Sequence, residues 1–186
     1  MMGKKALVLV DVQEAFKDSK WGERNNPDAE LNIQRILHLW REKGYEVIYI
    51  QHESDQPSSL FYPGNKGYEL NPLVTPKEKE VIFSKKVNSS FIGTGLESYL
   101  KENGICELVI TGLTTPHCVS TTARMSGNLG FTTYLISDAT AAFGLTDHKG
   151  VYHRPEVIHE ITLATLHDEF ATILTTDEMM KEFDLV

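Results

Sequence analysis

Cysteine is scarce in this chain: Cys106 and Cys118 are the only two among 186 residues. That excludes a disulfide framework and a cysteine-rich zinc module. Long apolar runs are missing as well. The first run, residues 6–10, ends after five residues at Asp11, short of the ~7–15 of a signal-peptide core and of the ~20 of a membrane span. The carboxyl-terminal Phe183-Asp184-Leu185-Val186 is neither a prenylation box nor a retention signal. A cytoplasmic protein with reduced thiols is therefore expected. Positive charge is in deficit too. Eighteen Lys and Arg against 26 Asp and Glu leave a net charge of −8, which argues against nucleic acid or anionic lipid as a partner, because both need clustered cations. Walker A and G-x-S-x-G sequences are absent. The stretch Gly93-Thr94-Gly95-Leu96-Glu97-Ser98 lacks the third glycine of a dinucleotide fingerprint and does not lie between the first strand and helix.

What is present is an alternation. Short Val/Ile/Leu-rich runs at residues 6–10, 46–50, 80–83, 108–111, 132–136 and 170–174 read as strands buried on both faces. Helical patterns fall between them. One carries Leu31, Ile33, Ile36, Leu37 and Trp40 as a core stripe closed by Gly44; others cover residues 95–103, 116–129 and 156–167. Strands alternating with helices indicate one three-layer α/β/α domain over residues 1–186, with a mostly parallel six-stranded, Rossmann-like sheet. Two polar segments, 18–26 and 54–76, contain Trp21, Phe61 and Tyr62 and read as surface loops.

Ligands of such sheets bind beyond the carboxyl ends of the strands. The polar residues that follow each run there are Asp11 and Gln13, then Gln51, His52 and Glu53, then Ser84, Lys85 and Lys86, then Thr114, Thr115, His117 and Cys118. A carboxylate, an ammonium and a thiol thus emerge on one rim. Thr115 suits an N-cap and Pro116 the first helical position, which places Cys118 in a first helical turn. The helix dipole and a nearby ammonium would both favour its thiolate, and unpaired N–H groups there could hold an oxyanion. Cys106, just ahead of its strand, reads as a packing thiol. His148, His153, His159 and His167 lack metal-binding spacing and read as surface or packing residues.

With these residues in place, the chain resembles the isochorismatase-like cysteine hydrolases, the superfamily that includes nicotinamidases and carbamoyl-amide amidases. Three segments carry the resemblance over essentially the whole length: ALVLVDVQEAF around Asp11, SKKVNSSFIGTGLESYL around Lys85 and LVITGLTTPHCVSTTAR around Cys118. The resemblance implies a catalytic triad of Asp11, Lys85 and Cys118, with Lys86 as the alternative one place on. It implies a cis Leu113–Thr114 peptide, and an oxyanion hole made by the N–H groups of Thr114 and Cys118. It also implies a homodimer or larger homo-oligomer. Cys118 favours acyl chemistry, hence a small-molecule amide as substrate. Nicotinamidase, vinyl-ether hydrolase and non-catalytic binding module are the other readings. Nicotinamidases carry an Asp and several His after the second strand, where this chain has His52 alone between Gln51 and Glu53, so no metal and no cofactor are expected. Phe16, Trp21, His52, Phe61 and Phe91 are the expected pocket walls.

Overall fold

The computed structural model describes residues 4–185. The chain runs β1 (Lys4–Val10), α1 (Ala29–Glu42), β2 (Glu46–His52), β3 (Val81–Lys85), α2 (Leu96–Glu102), β4 (Ile105–Leu113), α3 (Ser120–Asn128), β5 (Thr132–Ala141), the short strands β6 (Leu145–Thr146) and β7 (Tyr152–His153), α4 (Pro155–Ala164), β8 (Thr172–Leu174) and α5 (Thr176–Glu182). Six strands form one sheet in the order β3-β2-β1-β4-β5-β8. Every pairing in it is parallel.

The sheet is buried on both faces because its strands are apolar at successive positions, not at alternate ones. In β1, Ala6, Val8 and Val10 face a core shared with Leu96 and Leu100 of α2, Ala123 of α3 and Leu166 just beyond α4. Leu7 and Leu9 face the opposite core, built by Ile33, Ile36, Leu37 and Trp40 of α1 with Met179 and Met180 of α5. The expected α/β/α layering is therefore observed. Trp40 lies wholly within the second core and donates its indole N–H to the Glu46 carbonyl at 2.8 Å, so burial leaves its polar atom satisfied.

Several expectations change in detail. Leu31 is exposed, at the rim of the α1 stripe. Ile161 is exposed on α4, so that helix is less one-sided than its pattern implied. Cys106 is exposed, not packed: it is the second residue of β4 and is skipped where the register shifts from Lys4–Ile105 to Lys5–Glu107, while Ile105 and Leu108 are buried. β4 and β5 run longer than their apolar runs, because each continues through polar or small residues toward the site. The β6–β7 hairpin and α5 were not legible from the pattern. Among the described residues no helix is long and apolar enough to cross a membrane.

One contact sets how closely the two central strands approach. Gly112 of β4 pairs with Val10 of β1 and has a φ of 118°. A Cβ built there would lie 2.0 Å from the Val10 carbonyl oxygen. Both a left-handed backbone and a missing side chain are required at that point. Gly112→Ala is expected to lower the urea midpoint by the equivalent of about 2–4 kcal/mol. An unchanged midpoint would show that β1 and β4 part without cost.

Candidate active site

The order of the sheet reverses between β1 and β4, the place where ligands enter open α/β sheets. Asp11 follows β1 directly. Its N–H continues the ladder by donating to the Ile50 carbonyl at 2.9 Å, and its φ is 50°. Asp tolerates this left-handed conformation better than most side chains, at a cost of order 1 kcal/mol. Lys85 is the last residue of β3, paired in register with His52 of β2. β3 lies two strands from β1, about 9–10 Å away, a distance a long side chain must cross. Cys118 lies beyond β4 in a wide helical turn, Thr115–Val119, in which the Val119 N–H reaches back to the Thr114 carbonyl at 3.3 Å.

These three residues meet. The Lys85 ammonium donates to Asp11 Oδ2 at 2.7 Å and to Cys118 Sγ at 3.2 Å, and it lies 3.1 Å from His52 Nδ1. Asp11 and Lys85 are almost wholly buried, and Cys118 is nearly so. All three ammonium protons therefore have acceptors, provided that His52 Nδ1 is unprotonated. Burial, and then the neighbouring ammonium, lower the His52 pKa to about 4, so at neutral pH its ring proton sits on Nε2. The alternative lysine, Lys86, points away into solvent and pairs with Asp55 at 2.6 Å. Asp11, His52 and Cys118 also have ligand-type atoms within 4.8 Å of one another, but the ammonium already bonds to all three, and a divalent ion there would have to displace it.

The thiol differs from expectation. Burial, reinforced by the Asp11 carboxylate, pushes Cys118 up to about 12, against the opposing pull of Lys85. Burial likewise raises the Asp11 carboxyl, which Lys85 opposes. The 2.7 Å contact between Lys85 Nζ and Asp11 Oδ2 has the geometry of an ion pair, and beside a neutral thiol such a pair leaves the group with a net charge of zero. The Lys85 ammonium does pull the thiol down, as the sequence reading had it, but desolvation and the adjacent carboxylate push the other way and outweigh it. Among the described residues no donor lies within hydrogen-bond distance of the buried Asp11 Oδ1, and the carboxylate interacts with the Cys118 thiol beside it, so it is placed to take the thiol proton.

Above the trio opens a cleft of about 270 Å³ lined by Asp11, Phe16, Trp21, His52, Phe61, Asn88, Thr114, His117, Cys118 and Leu145. Phe16 contacts Trp21 and Phe61 at ring distances of 5.7 and 5.4 Å, and Phe143 backs both Phe16 and Trp21. Trp21 is pinned by its indole N–H on the Ala15 carbonyl at 2.8 Å. Gln13 ties the tip of β1 to β2 and the 54–76 loop, donating to the His52 and Tyr68 carbonyls. A larger depression of about 380 Å³ at the amino ends of the strands is lined by Lys4, Lys5, Gly44, Tyr45, Glu46, Asn103 and Ile105, with no cysteine, serine or threonine among them.

Four expected wall residues, Phe16, Trp21, His52 and Phe61, thus line the cleft. Phe91 does not. It stacks on Phe131 at 6.0 Å within the core between the sheet and α2 and α3, because the turn after β3 folds inward to bury it. Asn88, His117 and Leu145 were not foreseen as walls. Asn88 and His117 stood in the quoted segments and carried no periodic signal; Leu145 belongs to the unread hairpin. Thr115 is also not the N-cap: Thr114 precedes the turn, and the Thr115 hydroxyl bonds inward to His159 Nδ1 at 2.9 Å and Thr140 at 3.1 Å. The Leu113–Thr114 peptide is cis.

Comparisons with known proteins agree with this architecture. A family model described as the isochorismatase domain matches residues 5–178. The isochorismatase family protein YrdC of Bacillus subtilis (strain 168) is 66% identical over 98% of this chain and 98% of its own length. The ureidoacrylate amidohydrolase RutB of Methylobacterium radiotolerans is 25% identical over 90% of this chain and 74% of its own. The crystal structure of a hydrolase of the isochorismatase family from Chromobacterium violaceum ATCC 12472 superposes with a TM-score of 0.95 at 38% identity, covering 98% of this chain and 95% of that one. The fold, the match along the chain and these relatives together establish that the chain belongs to the isochorismatase family of hydrolases.

Proposed function

We propose that this protein is a cysteine-dependent hydrolase that cleaves a C–N amide-type bond of a small molecule through a thioester, with Asp11, Lys85 and Cys118 as its triad. One observation carries the reading: a single buried ammonium bonds both the carboxylate and the thiol at the floor of an open cleft. The amidohydrolase among the relatives supports the bond type.

In this scheme the Cys118 sulfur attacks the amide carbonyl carbon while its proton passes to Asp11. Moving that proton leaves the trio's net charge at zero, so the thiol need not ionise against solvent. Lys85 stabilises whichever of the two neighbours is anionic. The oxyanion of the tetrahedral intermediate is assigned to the N–H groups of Thr114 and Cys118. Collapse breaks the C–N bond, and Asp11 returns the proton to the leaving amine. Water then attacks the thioester, giving a proton to Asp11 and restoring the thiol as the acid leaves. His52 keeps the ammonium aimed by accepting its third proton.

The raised Asp11 carboxyl supports a second reading, in which protonated Asp11 acts as a general acid on a C–O bond without a covalent intermediate.

Cys118→Ala and Lys85→Met are each expected to reduce ammonia release from an amide substrate by about 10³-fold or more, followed by coupled ammonia assay. Turnover surviving in Cys118→Ser would favour the C–O reading instead. Asp11→Asn separates reactivity from turnover. It removes the anion that raises the thiol and leaves the ammonium that lowers it. In a Cys106→Ser background, Asp11→Asn should make Cys118 alkylate faster with iodoacetamide at pH 7–8 than the parent does, while hydrolysis falls. Slower alkylation would contradict the assigned charge balance.

A further inference from the structure

Every residue that lines the cleft can be assigned a charge. Asp11 is the one anion. His52 accepts from the Lys85 ammonium and is neutral. His117, partly open to solvent, is held below the ordinary histidine range by the desolvation of its buried side, and its Nδ1 pairs with the Thr114 hydroxyl at 3.0 Å. Asn88 and Thr114 are uncharged, and Phe16, Trp21, Phe61 and Leu145 are apolar. Lys85 does not line the cleft, and its three protons are committed below the floor. Three cations of neighbouring segments also have contacts of their own. Arg24 is bidentate on Glu30, Lys86 pairs with Asp55, and the Lys20 ammonium packs on the Trp21 ring at 4.7 Å.

A carboxylate entering this cleft would lose its hydration, meet an aromatic wall and Asp11, and find no lysine or arginine among the residues that line it. Burying an unpaired anion is strongly unfavourable. An amide with an uncharged, apolar acyl group meets no such penalty, and its burial against the aromatic cluster is favourable. From this geometry we propose that the cleft selects small uncharged amides and rejects amides that carry a carboxylate, with Leu145 and the Phe16–Trp21–Phe61 wall setting that preference. The proposal rests on the amide-hydrolase reading and goes beyond it. The relative whose name specifies ureidoacrylate acts on a carboxylate-bearing molecule, so its bond type is expected to carry over but its substrate charge is not.

The test uses an isosteric pair: 4-methylpentanamide, which ends in an isopropyl group, and succinamate, which ends in a carboxylate. Ammonia release should give a kcat/KM at least ~100-fold higher for the neutral amide. Equal or better turnover of succinamate would overturn the selectivity and leave the amide reading intact. If neither is hydrolysed, calorimetric binding to Cys118→Ser protein decides the selectivity alone. Binding of 4-methylpentanamide without succinamate would support it; succinamate bound as well, or neither bound, would overturn it. Leu145→Lys places a cation on the wall and should narrow the turnover ratio by at least tenfold. A ratio unchanged in that variant would refute the charge explanation.

Discussion

One ammonium holds the candidate site together. Lys85 reaches from the edge strand across β2 to the tip of β1, and its three protons go to Asp11, His52 and Cys118. Without it, a carboxylate and a thiol would share a buried floor with no counter-charge, and the carboxylate would be driven to protonate. With it, the proton can sit on sulfur or on oxygen without changing the total charge. In the proposed mechanism that exchange would let a thiol with a high pKa act as the nucleophile, because its proton would pass to Asp11 and not to bulk water. The constraint reaches outward. Lys85 can satisfy His52 only while that ring is neutral, and Gln13 holds the His52 backbone through both its amide and its carbonyl.

Much of this was legible in the sequence. Apolar runs without alternation implied strands covered on both faces, and the polar residue after each run marked the rim. Asp11, Lys85 and Cys118 stood among the residues that rule marked, and the resemblance singled them out as a triad. Phe91 and Cys106 show where it stopped. Phe91 follows its strand as a rim residue should, yet the turn at Ser89–Ser90 folds inward and buries it against Phe131. Cys106 reads as a small hydrophobe, but it falls where the register between β1 and β4 shifts, which local pattern does not encode. The groups that raise the Cys118 thiol were hidden for a similar reason. Helix position is local and visible; desolvation and the approach of Asp11, over a hundred residues away in sequence, are not.

The support beneath the cysteine turn was equally hidden. Thr115 faces Thr140 and the buried His159, and Asn26 donates to the Ser137 and Thr140 carbonyls from the far loop. Each residue looks like ordinary loop or helix chemistry alone. Together they fasten the 18–26 loop, the end of β5 and α4 to the turn that carries the sulfur. The wall containing Trp21 and the floor containing Cys118 are thus braced by the same polar group.

The parallel register has a consequence of another kind. Asp11, Lys85 and Cys118 are placed by strand ends, and a one-residue insertion in β1 or β3 would turn the side chain to the opposite face. Phe61 and Trp21 sit on connecting segments, where length is free to vary. The molecule therefore separates an invariant frame from an adjustable mouth: grafting different 18–26 and 54–76 segments would retool what enters while the reacting atoms stay where the sheet has put them.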